Sequence, residues 1–154
     1  MAGPGTTFSG PLISGPKKDA DASGPANTGL AVLSQTLTLL QNGASAVSGT
    51  FVLPQNSQIL DFLIDTTTAW NSTGTDTLTI GQSAAATEYV GGVSVKSTGR
   101  GAPTYTAAQL GNMASIGAHT SVVATVTPAD AVTTGATRVT IRYVQVVDLT
   151  DGTA

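Results

Sequence analysis

The sequence predicts an all-β chain, an antiparallel β-sandwich of about seven or eight strands, jelly-roll-like, behind an extended N-terminal arm. Three observations predict it. Apolar residues alternate with polar ones in short runs from residue 30 onward, the period of half-buried strands. Gly, Pro and Asn punctuate those runs at the spacing of a sandwich. The first 28 residues instead carry Ser-Gly-Pro three times, at Ser9-Gly10-Pro11, Ser14-Gly15-Pro16 and Ser23-Gly24-Pro25. Proline removes backbone donors and glycine adds freedom, so that segment suits neither a central strand nor a helix. The expected division is therefore an arm over residues 1–28 and a β-domain over 29–154.

Taken in order, residues 30–40 are rich in Leu, Val and Thr, and an extended chain puts Ala31, Leu33, Leu37 and Leu39 on one face. Asn42-Gly43 follows, a strong signal for a two-residue hairpin, with residues 46–53 as the partner strand. Pro54-Gln55-Asn56 turns the chain into a strand over 58–65, where Leu60, Phe62 and Ile64 alternate with Asp61 and Leu63. Residues 71–75 read as a turn, 77–80 as a short strand, and 88–96 as another with a bulge at Gly91-Gly92. Residues 97–118 are irregular, except that Thr106-Ala107-Ala108-Gln109 fits a capping box and predicts a short helix with Leu110 and Met113 inward. Two strands close the chain. Residues 120–126 place Val122, Ala124 and Val126 inward; residues 138–147 place Val139, Ile141 and Tyr143 inward and Arg138, Thr140 and Arg142 outward.

Charge argues for covered surface. Only 10% of the 154 residues are charged, against about 25% in ordinary soluble proteins. No Asp, Glu, Lys or Arg lies between Asp21 and Asp61, or from Gly101 to Ala129. A surface this poor in charge relies on hydroxyls and amides, or on neighbouring subunits. The uncharged stretches are too interrupted for a membrane span, and Met1-Ala2-Gly3-Pro4-Gly5 lacks the pattern of a signal peptide. With net charge −3 and six Lys and Arg, no basic stripe for nucleic acid is expected. With no cysteine, stability must come from pairing, burial and subunit contacts.

No catalytic constellation is legible, and the chain is expected to be non-catalytic, without cofactor or small-molecule substrate. The one histidine, His119, stands at a strand start without a nucleophile elbow in the chain. Asp61 and Asp65 share a strand face and Asp76 is a possible neighbour, but carboxylates at strand ends and turns commonly keep edges soluble and cap backbone. Asn71-Ser72-Thr73 fits a glycosylation acceptor and carries little weight without a secretion signal. Surfaces are the better candidates. Phe8, Leu12 and Ile13, followed by Lys17 and Lys18, would anchor the arm on a neighbour, since a pure linker has little use for them. Trp70, beside a turn, is either a subunit-contact residue, a core edge or an exposed platform for a ligand.

The run from Leu53-Pro54-Gln55-Asn56-Ser57-Gln58-Ile59-Leu60-Asp61 through Thr68-Ala69-Trp70-Asn71 resembles small virion proteins of tailed bacteriophages, the capsid cement or decoration proteins. So do Gly99-Arg100, Thr106-Ala107-Ala108-Gln109-Leu110, Arg142-Tyr143-Val144-Gln145 and the Ser-Gly-Pro arm running into Asn27-Thr28-Gly29. The resemblance spans nearly the whole chain, but its motifs are structural. It implies a sandwich or jelly roll, homotrimers on the outer surface of the phage head, and arms reaching over the major capsid protein. A tail or fibre component with a receptor-binding role is the runner-up, and the low aromatic content, 5%, weighs against it.

Overall fold

The structure, a computed structural model, describes residues 32–145. They form eight strands and one short helix: β1 (Val32–Leu40), β2 (Val47–Val52), β3 (Gln58–Thr68), β4 (Thr77–Gly81), β5 (Val90–Ser94), β6 (Gly99–Gly101), α1 (Ala107–Ala114), β7 (Ser121–Thr127) and β8 (Ala136–Val144). Two four-stranded sheets, β1-β8-β3-β6 and β2-β7-β4-β5, enclose one core, and every pairing is antiparallel. The all-β sandwich predicted by the period-two alternation is what the chain forms.

The pairing is nested: β1 with β8, β2 with β7, β3 with β6 and β4 with β5. Only the β4–β5 connection stays within a sheet; every other link crosses from one sheet to the other. Each crossing lets an amphipathic strand turn its apolar face inward from the opposite side. Phe51, Leu78, Ile80, Val122, Ala124 and Val126 of one sheet thus face Phe62, Ile64, Val139 and Ile141 of the other, all buried. The Phe62 and Tyr89 rings lie 6.3 Å apart within this core.

Three sequence expectations are corrected. The segments flanking Asn42-Gly43 do not form a hairpin, because β1 and β2 belong to different sheets. A type I′ turn needs positive φ at both central residues, and here Gly43 has it, at 63°, whereas Asn42 does not. The loop is instead held by other parts of the fold: Gln41 N–H donates to Gly135 O (3.0 Å) and Val132 N–H to Gly43 O (3.3 Å). Nine residues of β1 pair with β8, more than the six that β2 has to offer. Leu60 is exposed, out of step with Phe62 and Ile64. The β3–β8 register slips between Ile59↔Tyr143 and Asp61↔Arg142, so one extra residue sits at 60 and the alternation restarts after it.

The third correction concerns α1. Its capping box forms as expected: Thr106 Oγ1 accepts from Gln109 N–H, and Gln109 Oε1 accepts from Thr106 N–H (2.9 Å). Met113 is buried but Leu110 is exposed, because the inward stripe runs through Gln109 and Met113, four apart. Gln109 satisfies its amide by donating to Thr87 O (2.9 Å). The bulge at Gly91-Gly92 is present: Leu78↔Val93 and Ile80↔Val90 set three steps of β5 against two of β4. Strand β6 falls inside the stretch expected to be irregular. Three residues, Gly-Arg-Gly, carry no alternation to read.

Candidate interaction surfaces

Among the described residues, the outer face of the β1-β8-β3-β6 sheet carries five of the nine charged side chains. Alternation points Arg138, Thr140 and Arg142 of β8 outward, and the register sets Ser34, Thr36 and Thr38 of β1 on one side of them and Asp61, Leu63 and Asp65 of β3 on the other. Arg142 Nη2 donates to Asp61 Oδ2 at 2.9 Å, and the Tyr105 hydroxyl donates to Asp61 Oδ1 at 3.3 Å. Arg138 Nη2 reaches Asp65 Oδ2 at 2.9 Å. From β6, Arg100 grips the same carboxylate with Nε (2.7 Å to Oδ1) and Nη2 (3.2 Å to Oδ2). Between the charged rows, Thr36 and Thr140 share a hydrogen bond of 2.8 Å.

These arrangements set the titration behaviour. Hydrogen bonds from Arg100 first and Arg138 second hold the Asp65 carboxyl down at about 2 from an ordinary 3.8. Partial burial, and then the Asp61 charge, push the Tyr105 phenol up to about 12. Because the folded-state pKa of Asp65 is lowered, its contribution to stability is present above the unfolded value and is lost as pH falls from about 4 to about 2. Asp65→Asn should therefore flatten the acid limb of the stability curve, read as the urea midpoint across that range, while leaving its shape near neutrality unchanged.

Asp76 lies apart from that face. It is fully buried in the other sheet's loop end, where Oδ1 accepts from Ser72 Oγ (2.5 Å) and Ala129 N–H (3.1 Å) and Oδ2 accepts from Ser72 N–H (3.3 Å). Lys96 Nζ stands 3.8 Å away. The three aspartates thus do not converge, and among the described residues no group of three or more His, Asp or Glu side chains is placed to hold a metal ion. His119 is exposed in the turn before β7, its N–H donating to Ile116 O (3.0 Å). Asn71 uses its side chain as a brace, accepting from Thr133 and Thr134 N–H and donating to Thr133 Oγ1.

Trp70 is corrected from a contact candidate to a core residue. It is 1% exposed, its indole N–H donates to Thr137 Oγ1 (3.0 Å), and its backbone N–H donates to Val95 O (3.1 Å). Phe8, Leu12, Ile13, Lys17 and Lys18 lie outside the described residues. What sequence reading missed is the flank formed by β1 and β2, where Val32, Leu40 and Val52 are largely exposed. It also missed the charge ladder, although Asp61/Asp65 and Arg138/Arg142 repeat at the same four-residue spacing on two strands, a match that adjacent antiparallel strands would produce.

Within the described residues no helix is long and apolar enough to cross a membrane. Compared with protein-family models and with curated proteins, the chain matches none.

Proposed function

We propose that this chain is a structural subunit of a bacteriophage virion, a cement or decoration protein that binds the outside of the major capsid protein lattice and stabilises the head. The observation that carries the assembly half of this reading is the uncharged β1–β2 flank, with large apolar side chains exposed along it. An uncharged edge strand in unbroken register is a place where another chain can add to the sheet. The nested strand order supports the capsid half, since it is the order expected of a jelly roll, a fold used by viral capsid proteins and also by lectins and cupins. Sharing a fold does not by itself assign a role, and the sequence resemblance adds the choice among them.

The physics of such a role is simple. A ligand that binds only the assembled shell stabilises it by mass action, and a homotrimer spanning three capsid subunits gains avidity over any single contact. Residues 1–28 would be the arm that holds the shell. Deleting them should weaken binding to expanded heads by at least about ten-fold, as expected when one of several linked contacts is lost, with the thermal melt of the remaining chain unchanged. Decoration at full-length affinity by the truncated chain would remove the arm from the mechanism.

A further inference from the structure

The two flanks of the sandwich are built on opposite rules. One ends in β6 and β5: β6 is three residues long and carries Arg100, and β5 is broken by the extra residue at Gly91-Gly92. Short strands, charge and bulges are the devices that keep an open sheet edge from pairing with another chain. Among the described residues the other flank ends in β1 and β2, and none of these devices is present on either strand. Strand β1 runs nine residues in unbroken register with β8, with no charge, proline or glycine. Strand β2 runs six in unbroken register with β7, also without charge. Gln35 Nε2 donates to Val52 O (2.7 Å), fixing the two edges side by side. Val32, Leu40 and Val52 are 58%, 62% and 63% exposed.

The sequence of β1 says what would cover it. Val32, Ser34, Thr36, Thr38 and Leu40 share the outer face, and that row reads nearly the same from either end: apolar, hydroxyl, hydroxyl, hydroxyl, apolar. Turned about Thr36 against a second β1, Val32 meets Leu40, Ser34 meets Thr38 and Thr36 meets Thr36. Each exposed apolar end is then covered by the other copy's opposite end. Hydroxyls pair in the middle, as favourable cross-strand neighbours do, and no charge is brought against a like charge. A two-fold contact requires this self-complementarity, residue i against j and j against i.

We propose that β1 is a self-association edge, pairing antiparallel with β1 of a second copy about a two-fold axis at Thr36, so that the β1-β8-β3-β6 sheets of two copies become continuous. This contact rests on the β1 row alone and does not depend on the virion reading.

The chain has no cysteine, so cross-linking reads the register directly. In the full-length protein, Thr36→Cys should give a disulfide-linked dimer as the main product of mild oxidation, because residues directly opposite have Cβ atoms about 5 Å apart. Ser34→Cys alone should cross-link poorly, and an equal mixture of Ser34→Cys and Thr38→Cys chains efficiently. Thr36→Cys cross-linking no better than Thr98→Cys, exposed on the opposite flank, would overturn the proposal.

Sedimentation of charged variants gives a second reading. Ser34→Glu/Thr38→Glu sets each new carboxylate beside Arg142 or Arg138 of its own chain, yet opposes like charges across the two-fold. It should associate at least about ten-fold more weakly than wild type. Ser34→Glu/Thr38→Lys opposes unlike charges across the two-fold, although its new lysine lies beside Arg138 of its own chain, and should associate more tightly than the double-Glu variant. Equal association of all three proteins, or equal loss in both variants, would contradict the pairing.

Discussion

Replacing Trp70 with alanine is expected to remove about 3–5 kcal/mol of stability, the range for deleting a large aromatic ring from a packed core. The ring ties together segments distant in sequence: it follows the end of β3, its indole N–H is taken by Thr137 of β8, and its backbone N–H is taken by Val95 beyond β5. Its face rests on Gly135, where an added Cβ would come within 2.5 Å of Cδ2 and 2.8 Å of Cε2. Gly135→Ala should consequently destabilise as well, by forcing that ring to move. Domains of this size hold together by about 5–15 kcal/mol in all, so Trp70→Ala leaves little margin. Urea unfolding followed by circular dichroism measures it, and a loss under about 1 kcal/mol would contradict the core placement.

Asp76→Ala is the second large effect, about 3–5 kcal/mol, from stranding buried donors at about 1–3 kcal/mol each. Three donors, Ser72 N–H, Ser72 Oγ–H and Ala129 N–H, converge on this carboxylate; its removal strands the two backbone N–H groups and leaves Ser72 Oγ–H only Gly74 O, at 3.3 Å. Lys96 sits at the rim, its side chain 33% exposed, and can be hydrated when its partner is lost. Lys96→Met should therefore cost less than Asp76→Ala, although Asp76 then keeps only its neutral donors. Equal costs would mean that the ion pair, rather than the backbone and hydroxyl bonds, organises these loops. Because Asp76 joins the 72–76 turn to residue 129, its loss should also raise amide exchange in both loops before the sheets open.

The core strands were legible because they alternate. Val122, Ala124 and Val126, and Val139, Ile141 and Tyr143, point inward as period two requires. The capping box placed α1 because its two reciprocal hydrogen bonds involve residues three apart. What local sequence does not encode is which strand lies beside which. Asn42-Gly43 is a good local hairpin signal, yet the partner of β1 is β8, about a hundred residues away. Leu60 was misplaced because a bulge shifts parity without leaving a mark in composition, and Trp70's place beside a turn left core and contact readings both open, since such a residue can point either way. The flank of β1 and β2 was visible as a charge-free stretch, but its meaning depended on those strands being edges, a property of topology rather than of sequence.

Electron microscopy of the virion that carries this chain tests its proposed role most directly. A capsid cement role predicts density for the sandwich on the outer surface of the head, repeated across the lattice at local threefold positions and in contact with the major capsid protein. Density confined to the tail or its fibres, or a head surface without it, would contradict that role.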